Sequence, residues 1–109
     1  MTKIFVTKRN NSIVEIECEG HTGYGVQGED IVCSALSSVV QTAVLGLFGV
    51  AGVNVDYKTD NKRGYLKAVL PDNLDNATRH DCDVILNTMM LGIADLHEGF
   101  SDFIELEVR

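Results

Sequence analysis

Alternation opens the chain. Residues 3–8 and 12–19 each read as a strand, separated by Asn10-Asn11, a pair that tolerates positive φ and suits a tight hairpin. In the second strand Val14, Ile16 and Cys18 alternate with Glu15, Glu17 and Glu19, so one face is apolar and the other wet. Cys18 falls on the core face. The period then changes. From Ile31 the doublets Ile31/Val32, Ala35/Leu36, Val39/Val40, Ala43/Val44 and Leu47/Phe48 recur every four residues, the signature of a helix with a wide apolar face. It ends near Gly49. Ser34, Ser37, Ser38 and Gln41 form its other side, small and uncharged, and suited to close packing against a second subunit.

Residues 53–59 and 63–70 predict a second hairpin turning at Asp60-Asn61, with Val53, Val55 and Tyr57 on one side. Pro71 marks its exit. Asp72 or Asn73 then caps a second helix that runs to about residue 97 and is closed by Gly99. Its apolar positions include Leu74, Ala77, Ile85, Met89, Ile93 and Leu96. From Phe103 to Val108 the chain alternates once more and reads as a fifth strand. The order is ββαββαβ. We expect one α+β domain over residues 1–109, a mostly antiparallel five-stranded sheet carrying two long helices.

Charge and composition narrow the partners. A net charge of −7 argues against nucleic acid, which rewards clustered Lys and Arg. Residues Ile31 to Val55 carry no charge, yet Ser34, Ser37, Ser38, Gln41, Thr42 and three glycines interrupt them, leaving no 18-residue apolar run. A helix buried in a core or a dimer interface is expected there, with no membrane span. Three cysteines, Cys18, Cys33 and Cys82, with no CxxC pair and no leader-like N-terminus, read as reduced thiols in a cytoplasm.

Candidate chemistry concentrates between the second strand and the first helix. Gly20, Gly23, Gly25 and Gly28 punctuate a stretch that also holds His21 and Tyr24. So glycine-rich a segment reads either as an ordinary connection or as a loop gated by substrate. GYGVQG matches G-x-G-x-x-G, but the surrounding hairpins supply no βαβ unit, so no dinucleotide cofactor is expected. Asp30 suits an N-cap, which puts Cys33 in the first helical turn, where the helix dipole favours a thiolate. His21, upstream, is the candidate proton acceptor. Two readings of Cys33 stand: a nucleophile paired with His21, or a small buried residue of an apolar helix. Asp30 likewise either caps the helix or orients His21. Backbone amides at the helix start, that of Cys33 among them, are candidate oxyanion donors. Elsewhere, His80, Asp81, Cys82 and Asp83 crowd one helical stretch, but consecutive helical residues diverge and no i, i+4 His pair exists, so no metal site is expected. His97 falls in the last helical turn, where a capping role suffices.

The stretch GHTGYGVQGEDIVCSALSSVV resembles the signature of the ribosomal-processing cysteine protease family (Prp), most specifically in Gly20-His21 and Asp30-Ile31-Val32-Cys33. It departs from the family at Thr22 and Ser34, small residues where the family usually has alanine. The resemblance implies a homodimeric cytoplasmic endopeptidase without cofactor. Its implied substrate is the precursor of large-subunit ribosomal protein twenty-seven, which loses an N-terminal extension by a cut after Phe-Phe and before Ala. By matching positions, Cys33 is the nucleophile, His21 the general base and acid, and Gly20 to Gly28 the loop over the site. The competing function is a non-catalytic dimeric module for ribosome assembly or protein interaction. A thinner third option, a thiol redox sensor, needs a resolving partner, whereas Cys18 and Cys82 both read as buried.

Overall fold

A computed structural model describes the backbone of residues 1–20, 29–60 and 62–109, with the side chains of all of these except Glu29 and Asp30. Strands β1 (Thr2–Arg9) and β2 (Ser12–Glu19) form the first hairpin, helix α1 spans Glu29–Gly49, and β3 (Asp56–Asp60) and β4 (Tyr65–Val69) form the second. Helix α2 (Asn76–Gly99) and strand β5 (Ile104–Val108) complete the chain. The expected ββαββαβ order and mostly antiparallel five-stranded sheet are both present, in the spatial order β3-β4-β2-β1-β5. The exception to antiparallel pairing is β5, which joins β1 in parallel, Thr2 opposite Ile104.

The first turn forms where the sequence places it. Asn10 and Asn11 sit at φ 53° and 66°, the left-handed pair that a two-residue hairpin requires. A bulge then changes the faces: Thr7 pairs with Glu15, but Lys8 pairs with Ile13, leaving Val14 as the extra residue. The carbonyl of Val14 accepts instead from the Leu70 amide at 2.9 Å. Ile13 therefore turns into the core and Val14 is only half-buried, a correction to the simple alternation expected of this strand.

One face of the sheet is buried. Ile4, Val6, Ile16, Leu66, Ala68 and Ile104 meet Val32, Leu36, Val40, Val44 and Leu47 of α1 and Cys82, Leu86, Met89 and Ile93 of α2. Helix α2 contacts β2 and β5, and α1 packs beside it. The helices run antiparallel, with Gly46 facing Ile85 and Gly92 facing Val39. Ile31–Gly49 has the length and mean hydropathy, 1.9, of a membrane span. Its buried stripe nevertheless completes the core of this sheet-and-helix domain.

Several boundaries differ from expectation. Helix α2 is capped by Asp75, whose carboxylate accepts from the Thr78 amide at 2.8 Å, rather than by Asp72 or Asn73. Leu74 packs against the core first, and only beyond it is the chain free to turn. The same helix runs through Gly99, and Phe100 caps it by donating its amide to the Leu96 carbonyl. In the second hairpin, Asp60 Oδ1 accepts from the amides of Lys62 and Arg63 at 3.1 and 3.3 Å, and Gly64 takes φ 62°. Asn61, assigned to that turn from sequence, lies outside the described residues.

Candidate active site

The β2–α1 end of the sheet is stitched by its first residues. The Thr2 amide donates to the Phe103 carbonyl at 2.9 Å, and the Thr2 hydroxyl to the Gly20 carbonyl at 3.5 Å. Gly20 sits at φ 111°, and a Cβ there would run into the Met1 carbonyl oxygen. Only glycine fits. Beyond it, His21, Gly23, Tyr24, Gly25 and Gly28 lie outside the described residues.

Helix α1 begins at Glu29, two residues before Ile31, the first helical position read from sequence. Asp30 is thus its second residue, in a turn where the dipole still favours a carboxylate. Its side chain, and with it the choice between capping and orienting His21, is outside the description. The shift matters for the backbone. With Glu29 as first residue, helix geometry directs the Cys33 amide to the Glu29 carbonyl four residues back. The amides left free at this end are those of the residues before Val32, which corrects Cys33 as an oxyanion donor.

Cys33 is half-buried and unbridged. It shares a stripe of α1 with Ser37, Val40 and Val44, the last two buried in the core. That stripe faces the sheet. On the buried face of the sheet, β2 carries Cys18, in register with Ile4 on one side and Leu66 on the other. Burial pushes the Cys18 thiol up from 9.0 to about 12, with smaller contributions from neighbouring Cys33 and Glu17. The two thiols are therefore within electrostatic range of each other. Tyr57 on β3 is also raised, first by burial and then by Cys18. Sequence reasoning read Cys18 as a plain core residue and Tyr57 as strand alternation. The signal available was their shared face, since Tyr57 pairs with Ala68 and Ala68 with Ile16.

The sheet's open face carries a separate polar group. The Tyr65 hydroxyl donates to Glu17 Oε2, which pushes the phenol up to about 12, and the Arg63 guanidinium lies 4.9 Å from the Tyr65 ring centre. Lys67 Nζ is 3.7 Å from Glu15 Oε1. Around α2, Cys82 is fully buried while His80 and Asp81 are exposed, so these three side chains do not converge.

Between the outer flanks of the helices runs an open apolar groove of about 540 Å³, lined by Ser38, Thr42, Gly46, Val84 and Thr88 among others. None of its lining residues is ionisable. Leu45 and Leu91 stand exposed on the same helices, at 70% and 74%.

Comparison with known proteins assigns the architecture. The family model for cysteine protease Prp matches residues 1–105. The ribosomal processing cysteine protease Prp of Bacillus subtilis (strain 168) is 24% identical over 93 residues, covering 85% of this chain and 83% of the relative. The crystal structure of an essential ribosomal processing protease Prp from S. aureus, in complex with a substrate peptide, matches with a TM-score of 0.89. Identity there is 22%, with 100% of both chains covered. A Streptococcus mutans crystal structure matches with a TM-score of 0.87 at 28% identity, covering 99% of this chain and 93% of the other.

Proposed function

Because the chain belongs to the cysteine protease Prp family, we propose that it is a cysteine endopeptidase acting on a ribosomal protein precursor. The substrate is large-subunit ribosomal protein twenty-seven, cut after Phe-Phe and before Ala to remove an N-terminal extension. The observation that carries this reading is Cys33 itself: a free, half-buried thiol near the start of α1, in a chain that the family model covers through residue 105.

In the mechanism, the Cys33 sulfur attacks the scissile carbonyl carbon as a thiolate. The new C–S bond pushes the carbonyl electrons onto oxygen. Amides at the start of α1 that the helix leaves unbonded, from the residues before Val32, supply donors for that oxyanion. His21 holds the thiol proton and delivers it to the leaving amine as the C–N bond breaks. It then takes a proton from water, which cleaves the thioester and frees the thiol. Asp30, in the first turn of α1, either steadies the helix start through its charge or orients His21. Gly20, Gly23, Tyr24, Gly25 and Gly28 are assigned to gating the substrate.

The protein acts in the cytoplasm, a compartment in keeping with the free thiols of Cys18, Cys33 and Cys82. It works as a homodimer, for which the uncharged helix groove and the exposed Leu45 and Leu91 are the supporting features. That same surface favours the second reading, a non-catalytic dimeric assembly module.

One experiment separates the two: intact-mass analysis of the extended ribosomal protein after incubation with wild type, Cys33→Ala and His21→Ala. Wild type is expected to remove the extension. Cys33→Ala should remove none, and His21→Ala should be slower by roughly 10²-fold or more. Equal loss with wild type and Cys33→Ala would clear Cys33 of the role. A folded wild type that leaves a verified substrate intact would support the module instead.

A further inference from the structure

We propose that Thr2 is a positioning residue for His21: by seating Gly20 at the end of β2, it fixes where the chain leaves the sheet toward the proposed base. The inference rests on the reading of Cys33 and His21 as nucleophile and base, and adds the part of the fold that holds the base's root.

Burial comes first. Among the described residues Thr2 is the one polar residue that the domain buries, at 5% exposure. Burying a hydroxyl is unfavourable unless it finds a partner, and a valine would suit the same strand position without that cost. The partner is the Gly20 carbonyl, at 3.5 Å.

Geometry gives that contact a consequence. The β1–β2 ladder ends with Lys3 opposite Glu19, so Gly20 is the first residue past it and His21 the next. Three segments converge at this point. The Phe103 amide donates to the Phe100 carbonyl, which fixes the turn after α2, and the Phe103 carbonyl accepts from the Thr2 amide, both at 2.9 Å. Thr2 also lies opposite Ile104 of β5. Its hydroxyl is therefore carried on a backbone held from both sides. The Gly20 carbonyl that it meets belongs to the planar peptide group linking Gly20 to His21, so a hold on that oxygen is a hold on the plane.

Packing closes the remaining freedom. Gly20 sits at φ 111°, and the position a Cβ would take lies 3.2 Å from Thr2 Cα and against the Met1 carbonyl oxygen. The backbone of β1 fills the space of a side chain, and Gly20 cannot move toward it. Farther on, Gly23, Gly25 and Gly28 are the residues that restrict a backbone least. The fixed point nearest His21 on that side of the chain is thus the Thr2–Gly20 seat. A base must stand within hydrogen-bond reach of the thiol it serves, and a misplacement of about 1 Å can cost up to 10²-fold.

The test is steady-state cleavage of a peptide spanning the precursor's cut site, by Thr2→Val, Thr2→Ser and Gly20→Ala, each made in wild type and in His21→Ala. Thr2→Val, which keeps the shape and drops the hydroxyl, is expected to lower kcat about 5-fold and to leave KM within about 2-fold. Thr2→Ser should recover most of that loss, and Gly20→Ala should lose more than Thr2→Val. In the His21→Ala background neither Thr2→Val nor Gly20→Ala should cost anything further, because the group they position is gone. The rate of Cys33 alkylation by iodoacetamide, followed against pH, should rise at higher pH in Thr2→Val than in wild type, as a worse-placed imidazole favours the thiolate less. Should Thr2→Val melt below the assay temperature, Gly20→Ala carries the same comparison. An equal fold-loss with and without His21 would overturn the inference in favour of a merely structural role. So would a rise in KM alone, or a Thr2→Ser as impaired as Thr2→Val. A wild type that cleaves no peptide overturns the protease reading and this inference together, whereas a cleaving wild type matched by Thr2→Val overturns the inference only.

Discussion

Cys18 in the folded protein holds its proton to about pH 12, whereas an ordinary thiol releases it near 9.0. Between those values the unfolded chain gives up a proton that the folded chain keeps, so stability falls as pH rises through the window. Below pH 9 the thiol is neutral in both states and contributes no slope. Tyr65, raised from 10.0 to about 12, adds to the same alkaline loss from a higher starting point. Thermal melts at pH 7.5, 9 and 10.5 should therefore decline, and Cys18→Ala should decline less steeply than wild type. Matching alkaline slopes would remove Cys18 from the explanation. Local cues of this kind are only partly legible in a sequence. Asn10-Asn11 announces its turn because few other residues accept positive φ. The burial of Ile13 in place of Val14 does not show, because it depends on a bulge set by the partner strands.

At the scale of elements, the two helices meet through glycines that differ in how much room they leave. A Cβ on Gly46 would lie 3.5 Å from Ile85 Cγ2, an ordinary contact, while one on Gly92 would lie 3.2 Å from Val39 Cγ1. Alanine in place of glycine gains up to about 1 kcal/mol of helix propensity. Gly46→Ala is expected to keep that gain and raise Tm. At Gly92 the stiff, β-branched Val39 yields poorly, so Gly92→Ala should show no gain or a loss. Calorimetry of both variants at low protein concentration checks the contrast, and a larger gain at Gly92 would contradict it. The first helix is plain from its four-residue doublets and the second from its spaced apolar positions between a cap and Gly99. Their ends are not, because competing caps such as Asp72, Asn73 and Asp75 look alike until Leu74 is seen to pack inward. A two-residue imprecision at the start of α1 misplaced the Cys33 amide, while the thiol itself stood out in sequence as a cysteine just after a helix-start signal.

Across the whole molecule, the helix layer is covered on one side by the sheet and, among the described residues, uncovered on the other. The groove between α1 and α2 has no ionisable lining, and Leu45 and Leu91 flank it at 70% and 74% exposure. In a chain of net charge −7, that uncharged face is where the proposed homodimer would join two copies without repulsion. Light scattering is expected to give twice the chain mass for wild type and the single mass for Leu91→Lys. Its Tm, measured at low concentration, should be unchanged. A doubled mass for Leu91→Lys would move the interface elsewhere. Element order was readable along the chain, but spatial order was not: nothing local tells β5 to lie parallel to β1, outside the first hairpin.

That parallel pairing also has a meaning in time. Thr2, near the beginning of the chain, lies opposite Ile104, near its end, and the Arg109 amide reaches the Val6 carbonyl at 2.7 Å. A growing chain builds the β1–β2 hairpin early, from neighbours, yet must wait for its final residues before β1 gains its outer companion. Until then one of the innermost strands of the finished sheet is an open edge, with Ile4 and Val6 beside unpaired backbone groups. The fifth strand is thus a late clasp, which closes the outer side of β1 only after both hairpins and both helices have been made.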